Sequence, residues 1–357
     1  MLPSIVEGLL REAIRSAIRK NVPFYAYRLP YTTDFRFGAQ ITPLKPYKKG
    51  EEGFLLAPFN AGEYPKLFIK DEINLSGGRD DLQRLSVAGS VTDDHIPNRQ
   101  TSYREYCEGS QRLIADMKSG RYRKAVLSRI INYEAPAIDD ADEWFVRLSL
   151  KYSGAFVFIV SVPGVTTWMG ATPELLLKCD GENLVTMALA ATRVTGERRA
   201  WSSKEETEQK IVTDYIKEQF AKAGIEPELS GLTVAQAGPV EHLCNIITAP
   251  AADSEKTDKL LSLLHPTPAV AGSPLMEALI AIKRAENRSR RYYGGYLGPV
   301  GAGNIFSLFV NLRSMELFDD MAQLYVGGGL TAESETSSEW QETEHKAETI
   351  LDCIKDE

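Results

Sequence analysis

The chain has 357 residues, of which 43% are hydrophobic, and its net charge is −8. This length and composition allow a large buried core, whereas the negative charge argues against a protein that binds nucleic acid by neutralising phosphates. No apolar run reaches the length of a transmembrane helix, and the N-terminal segment carries Glu7, Arg11 and Glu12, which a secretory signal would lack. We therefore expect a cytoplasmic protein with neither nucleic-acid nor membrane partners.

The chain is organised as one continuous domain over residues 1–357, because it contains no Pro-, Gly- or Ser-rich linker and no internal repeat. Its four cysteines lie far apart without a Cys-x-x-Cys pair, so neither a disulfide framework nor a zinc knuckle is indicated. Residues 1–100 alternate short apolar runs with turns, which predicts a meandering antiparallel sheet as the N-terminal portion.

Hydrophobic periodicity predicts the elements of the remaining chain. In chain order these are a helix over 101–119, strands over 125–131, 155–162, 175–178 and 184–188, a helix over 203–223, a strand over 305–317, and a C-terminal helix that begins near 336–338. The helix over 203–223 opens with Ser203 and Glu206 at the spacing of a capping box.

The C-terminal helix follows three consecutive glycines, Gly327 to Gly329, and begins with many carboxylates. Glu339, Glu342 and Lys346 lie three and four residues apart, so they share one helical face. Glycine lets the backbone approach a ligand closely, which favours a site for a metal-bound anion. The alternative is a solvated amphipathic helix whose apolar stripe packs on the core.

Two further charged residues are candidates for a site. Glu208 lies at the boundary between the polar and apolar stripes of its helix, where it could point into a cleft. Strict alternation over 305–317 places Asn311 and Arg313 on the face opposite the apolar side chains. Arg313 would then either form a structural salt bridge or offer a planar fork to a substrate carboxylate.

The metal-ligand chemistry of the chain favours oxygen donors. The histidines show no zinc-ligand spacing, and no serine lies in a Gly-x-Ser-x-Gly elbow. Glu208, Glu339 and Glu342 are hard ligands with no soft ligand beside them, which indicates Mg²⁺.

Taken together, eight segments in order resemble the chorismate-utilising enzyme family. They are 123–129 (RKAVLSR), 170–176 (GATPELL), 187–193 (MALAATR), Glu208 with 211–212 (IV), 265–272 (HPTPAVAG), 290–298, 311–313 (NLR) and the C-terminal stretch 325–346. The resemblance covers about residues 100–355.

The resemblance implies an α+β fold with two large, layered antiparallel β-sheets, helices on the outside and a magnesium-dependent site between the sheets. It implies a single chorismate-binding domain over 1–357, in which residues 1–100 form the N-terminal sheet portion and 101–357 hold the catalytic motifs. Chorismate is the expected substrate and Mg²⁺ the expected cofactor.

Site residues follow from the resemblance position by position. Glu208 and Glu342 match magnesium ligands, with Glu339 near the metal. Arg313 and Lys346 would hold substrate carboxylates. The full set of implied substrate-binding residues is Ala191, Thr192, His265, Ala269, Tyr293, Leu312, Arg313, Gly327 and Lys346.

Family members differ in the nucleophile that they add to chorismate. Those that add ammonia, the anthranilate and aminodeoxychorismate synthases, generally lack a lysine at the position of Lys124, whereas those that add water keep it. The resemblance therefore favours water addition at C2 and loss of the C4 hydroxyl, with Lys124 as general base and Glu174 as general acid. We expect an isomerase that converts chorismate to isochorismate for menaquinone or siderophore biosynthesis, and no glutaminase subunit.

Several alternatives stay open at this point. A salicylate synthase would share these positions and also eliminate pyruvate, and an ammonia-adding synthase or an inactive binding module could use the same scaffold. Taken singly, Lys124 could lie exposed at the start of a strand and Glu174 could merely cap a turn. As a general acid, Glu174 needs a raised pKa that keeps it protonated near neutral pH.

One position departs from the family pattern. Ala191 stands where the family usually has glycine, at a place where the backbone approaches the substrate. A methyl group there could narrow the pocket, and it would strain the backbone if φ is positive.

Overall fold

A computed structural model describes residues 4–76, 78–85, 96–237 and 240–355 of the chain. The helices are α1 (Ser4–Arg19), α2 (Arg79–Gln83), α3 (Tyr103–Lys118), α4 (Ala141–Lys151), α5 (Ser203–Ala223), α6 (Ser254–Leu264), α7 (Leu275–Glu286) and α8 (Thr336–Ile354). None of the helices in these ranges combines the length and apolarity needed to cross a membrane.

The strands are β1 (Phe24–Arg28), β2 (Phe35–Ala39), β3 (Gly53–Ala57), β4 (Leu67–Lys70), β5 (Ile73–Asn74), β6 (Lys124–Glu134), β7 (Phe156–Val162), β8 (Thr166–Thr172), β9 (Leu175–Cys179), β10 (Asn183–Val194), β11 (Glu228–Leu229), β12 (Thr233–Ala237), β13 (Val240–Pro250), β14 (Gly272–Ser273), β15 (Tyr296–Val300), β16 (Phe306–Val310), β17 (Ser314–Leu317) and β18 (Met321–Leu330).

These strands form two antiparallel sheets. The first has the order β14-β6-β18-β17-β8-β7-β1-β2-β5, and the second has the order β11-β13-β10-β9-β16-β15-β3-β4, with β12 also paired to β13. The two-sheet α+β architecture expected from the resemblance is confirmed. The strands of the first hundred residues do not form one meandering sheet as predicted, because β1, β2 and β5 join the first sheet while β3 and β4 join the second.

Aromatic side chains fill much of the space between the sheets. Phe156 of the first sheet stacks on Phe309 of the second with ring centroids 4.1 Å apart, and Tyr25 stacks on Phe54 at 4.9 Å. Apolar faces of α1, α4 and α8 cover the outside of the first sheet, and those of α5 and α6 cover the outside of the second. Each sheet therefore buries both faces, which is why its strands are almost continuously apolar.

The predicted helices lie close to the observed ones, and α5 has the predicted bounds. Its capping box, however, uses Ser202 and Glu205 rather than Ser203 and Glu206. Adjacent serines and adjacent glutamates give the same spacing one residue apart, so the pattern alone does not select between the two registers.

The long strand predicted over 305–317 is wrong. The segment is divided into β16 in the second sheet and β17 in the first, and residues 311–313 carry the chain from one sheet to the other. Arg313 has a φ of 47° at this crossing. Gly170 lets the chain pass closely, because a Cβ at that position would lie 2.6 Å from the carbonyl oxygen of Arg313.

Candidate active site

A cavity of about 450 Å³ lies between the sheets near this crossing. β18 pairs with β17 only as far as Tyr325, whereas it pairs with β6 as far as Leu330. The end of β18 is therefore left without a β17 partner, and the cavity lies beside it. Most of the predicted site residues line this cavity: Lys124, Glu174, Ala191, Thr192, Glu208, Ala269, Tyr293, Leu312, Arg313, Gly327, Glu342 and Lys346.

Lys124 and Glu174 both line this cavity and are 3% and 5% exposed. Lys124 opens β6, and Glu174 lies in the short link between β8 and β9. Lys124 is therefore not exposed at the start of its strand, and the Glu174 side chain is buried at the cavity instead of capping a turn. The two side chains do not form an ion pair with each other. Burial raises the pKa of Glu174 to about 8, although the charge of Lys124 opposes this rise. A pKa raised in this direction is what a general acid at this position needs, and the role of Glu174 stays a prediction.

Arg313 brings a buried guanidinium to the cavity wall. Its Nη1 donates a 2.7 Å hydrogen bond to Thr349 Oγ1 of α8, and no carboxylate among the described residues forms an ion pair with it. The structural salt bridge considered for this arginine is therefore not present there. Because the chain turns at Arg313, Leu312 and Arg313 both line the cavity instead of facing opposite sides of a strand. A buried guanidinium without a carboxylate suits an anionic ligand.

The three glycines of β18 allow close packing around the cavity. A Cβ at Gly327 would lie 3.2 Å from Tyr293 Oη, and one at Gly329 would lie 3.1 Å from Lys124 Cε. Gly327 and Gly329 line the cavity, whereas a Cβ at Gly328 would lie 3.3 Å from Glu339 Oε2. Side chains alternate between the faces of a strand, so these contacts lie on opposite sides of β18.

Helix α8 brings Glu342 and Lys346 to the open end of β18. Lys346 Nζ donates to the Gly327 carbonyl oxygen at 2.9 Å and pairs with Glu342 at 2.6 Å. Arg129 of β6 fixes the helix, because its guanidinium lies 3.7 Å from the Trp340 ring centroid and its Nε donates to Thr343 at 2.7 Å. The predicted shared face of Glu342 and Lys346 is therefore directed at the cavity.

Glu208 of α5 lines the cavity together with Glu342. Within the described ranges, no group of three or more His, Cys, Asp or Glu side chains is arranged to hold a metal ion by itself. Two hard carboxylates that line the same cavity nevertheless fit Mg²⁺, which usually keeps several waters and uses one or two carboxylates plus oxygens of the substrate. The donor set is compatible with magnesium completed by a bound acid.

Two predicted residues do not line this cavity. Glu339 is 4% exposed and lies one turn before Glu342, beside Gly328. His265 lines a neighbouring cavity, and its Nε2 lies 3.0 Å from the Gly294 carbonyl oxygen. In this arrangement the His265 ring contacts the backbone of Gly294 rather than the cavity itself.

His242 of β13 is a cavity residue that sequence reasoning passed over. Its Nδ1 lies 2.8 Å from the Ala191 carbonyl oxygen, so this nitrogen carries the proton and Nε2 is left as an acceptor. Burial lowers the pKa of His242 to about 3, and its Nε2 has no hydrogen-bond partner in the described part of the chain. In the sequence, His242 was marked only by its position within the apolar segment 240–250, which does not indicate a cavity residue.

A family model described as a chorismate binding enzyme matches residues 76–355, which is most of the chain. The chain belongs to this family. This chain is also 30% identical to isochorismate synthase EntC of Escherichia coli. The alignment covers 80% of this chain and 75% of EntC. The chain is 29% identical to the chloroplastic isochorismate synthase 2 of Arabidopsis thaliana over 75% of its own length, but spans only 49% of that relative.

The fold of the chorismate-binding enzyme also matches a solved structure. MenF, the menaquinone-specific isochorismate synthase from Escherichia coli, aligns with a TM-score of 0.76 over 96% of this chain and 91% of that one. Their sequence identity is 18%, so this likeness concerns the fold alone.

Ala191 generates a testable prediction, because its φ is 58°. A left-handed conformation costs a residue with a Cβ roughly 1 kcal/mol relative to glycine. Ala191→Gly should therefore raise the free energy of unfolding by about that amount, and by widening the cavity it should raise kcat/KM for chorismate. Denaturant unfolding and steady-state kinetics measure the two effects.

The matched control is Ala190→Gly, since Ala190 also lines the cavity but does not have a positive φ. Glycine there should lower the free energy of unfolding by about 0.5–1 kcal/mol. Equal destabilisation by both variants would contradict the strain at Ala191, and an unchanged kcat/KM in Ala191→Gly would contradict a steric cost to the substrate.

Proposed function

We propose that this enzyme converts chorismate to isochorismate with the help of magnesium. The observation that carries the proposal is the pair formed by Lys124 and a protonated Glu174, which face one buried cavity without pairing to each other. An amine that can take a proton and a carboxylic acid that can give one are what a water-for-hydroxyl exchange requires. The family membership and the isochorismate synthases among the relatives support the same reaction.

The cavity offers cations for the two carboxylates of chorismate. Arg313 presents a buried guanidinium and Lys346 an ammonium beside the Gly327 backbone. Ala269, Tyr293 and Leu312 line the wall with mostly apolar surface on which the ring would lie. Polar anchors at one end and apolar walls around the rest are typical of small-molecule sites.

Glu208 and Glu342 are the residues that would hold Mg²⁺, with Glu339 supporting the same turn of α8 from behind Gly328. When bound, the ion would supply positive charge that neutralises a substrate carboxylate and fixes the position of the ring. Glu342 also pairs with the ammonium of Lys346 at 2.6 Å, so one carboxylate links the proposed metal position to the proposed anion-binding lysine.

In the proposed reaction, the Lys124 amine removes a proton from the water whose oxygen bonds to C2. The double bonds of the ring shift as the bond between C4 and its hydroxyl breaks, and Glu174 protonates that hydroxyl so that it leaves as water. One water enters and one leaves, so the reaction is an isomerisation. The reverse reaction uses the same groups with their proton-transfer roles exchanged.

The product mixture tests this function. Chorismate and Mg²⁺ incubated with the enzyme should give isochorismate without pyruvate, as measured by chromatography and by a lactate dehydrogenase assay. A chelator should stop turnover, and Lys124→Ala should lower kcat at least 100-fold with little change in chorismate binding. Salicylate with stoichiometric pyruvate would contradict the proposal, as would an amino product formed only with ammonium.

Glu174→Gln should change activity and stability in opposite directions. The folded chain keeps Glu174 protonated up to about pH 8, whereas the unfolded chain ionises it at an ordinary carboxyl pKa. Stability of the unmodified enzyme is therefore lost as the pH rises between these two values. The glutamine variant lacks this loss, so its Tm advantage should grow from pH 5 to pH 8, while its kcat falls at least 100-fold.

Thermal unfolding at several pH values and steady-state kinetics measure both effects. The kcat of the unmodified enzyme should also decline above about pH 8, as Glu174 loses its proton. A Tm difference that does not depend on pH, or a glutamine variant with normal kcat, would show that Glu174 is not the buried acid.

A further inference from the structure

The strand that carries Lys124 has an incomplete edge. On one side, β6 pairs with β18 from Ala125 to Glu134. On the other side, β14 pairs only with Lys124 and Ala125, through Ser273 and Gly272. Beyond Ala125, the Val126 amide still donates to the Ala271 carbonyl oxygen at 2.8 Å, and the Ile130 carbonyl oxygen accepts from the Thr101 amide at 3.1 Å. The backbone groups between these two bonds need partners from elsewhere, because buried peptide groups are costly when unsatisfied.

Two side chains from α7 and the loop after it take the place of the missing strand. The Ser128 amide donates to Glu286 Oε1 at 2.7 Å, and Arg290 Nη2 donates to the Val126 carbonyl oxygen at 2.6 Å. One carboxylate and one guanidinium thus satisfy an amide and a carbonyl of β6, as a neighbouring strand would.

The same guanidinium also holds the loop before β14. Arg290 Nη1 donates to the Val270 carbonyl oxygen at 2.8 Å, and Val270 lines the catalytic cavity together with Ala269. Val126 lines the cavity too and lies two residues after Lys124. Arg290 therefore connects two walls of the cavity through their backbones, although its own side chain does not line the cavity.

The pair is fixed in the interior. Arg290 Nε lies 3.1 and 2.9 Å from the two carboxylate oxygens of Glu286, and the side chains of Arg290 and Glu286 are 3% and 1% exposed. The Arg290 guanidinium also lies 4.6 Å from the centroid of the Phe59 ring. A guanidinium held by a carboxylate, an aromatic ring and two carbonyls has little freedom to move.

We infer that Glu286 and Arg290 form a positioning pair. The pair fixes the backbone of β6, and with it Lys124, relative to the loop that contains Val270. The inference rests on the proposed function for its kinetic readout. A general base must lie within hydrogen-bond reach of the water that it activates, so a small shift of β6 lowers the rate of the chemical step while leaving the anion-binding residues in place.

The test uses a variant that removes both charges together. Arg290→Met alone would leave the Glu286 carboxylate buried without its cation and could unfold the protein. The double variant Glu286→Leu with Arg290→Met replaces the pair by apolar side chains of similar size, which a buried ion pair often tolerates. It should fold with a lowered Tm, because three backbone groups lose their partners. Its kcat should fall on the order of tenfold or more, with KM for chorismate within about threefold.

Arg28 supplies a matched control, because it is another buried arginine that holds backbone carbonyls. It is 3% exposed and donates to the carbonyl oxygens of Leu29, Thr32, Tyr152, Ser153 and Ala155, and these residues do not line the catalytic cavity. Arg28→Met should lower Tm, while the folded fraction keeps kcat within about twofold.

Amide hydrogen exchange gives a readout that does not depend on chorismate. Peptides spanning residues 124–130 and 266–274 should exchange faster in the double variant than in the unmodified protein, and at the unmodified rate in Arg28→Met. Unchanged exchange in the double variant would overturn the inference, as would a fall of kcat in Arg28→Met equal to that in the double variant. If the unmodified enzyme does not turn over chorismate, the proposed function fails while the exchange experiment still decides the role of the pair.

Discussion

The crossing of residues 311–313 from the second sheet to the first is the constraint on which the site depends. Two antiparallel sheets packed face to face normally fill the space between them with side chains, as the stacked rings of Phe156 and Phe309 do here. Because β17 begins only at Ser314, the end of β18 beyond Tyr325 has no pairing with β17, and a cavity lies beside it. Arg313 lines this cavity with a left-handed backbone, which is costly away from glycine.

The cavity concentrates groups that are unfavourable to bury and useful for catalysis. Glu174 is held as a neutral acid by burial, and Arg313 forms no ion pair with a described carboxylate. Ala191 adds strain through its positive φ. Each of these features lowers stability in the absence of ligand, and large apolar clusters on both faces of each sheet provide the compensating burial.

Much of the fold was predictable from the sequence, but the division of the predicted strand over 305–317 into β16 and β17 was not. The helices α5 and α8 followed from periodicity and capping residues, and the motif order indicated the layered sheets. The apolar pattern continues through 305–317 because β16 and β17 are both buried strands, so only their tertiary partners reveal that they belong to different sheets. In the same way, the resemblance named His265 and the helical spacing named Glu339, whereas tertiary packing brings His242 to the cavity.

The fate of solvent oxygen tests the central claim most directly. With chorismate in water enriched in ¹⁸O, the account predicts isochorismate that carries one solvent oxygen at C2, as measured by mass spectrometry of the product and its fragments. The C4 hydroxyl of chorismate would be released to the solvent. Isochorismate without the heavy isotope would mean that the hydroxyl migrates within the substrate, which would contradict the roles of Lys124 and Glu174 as base and acid.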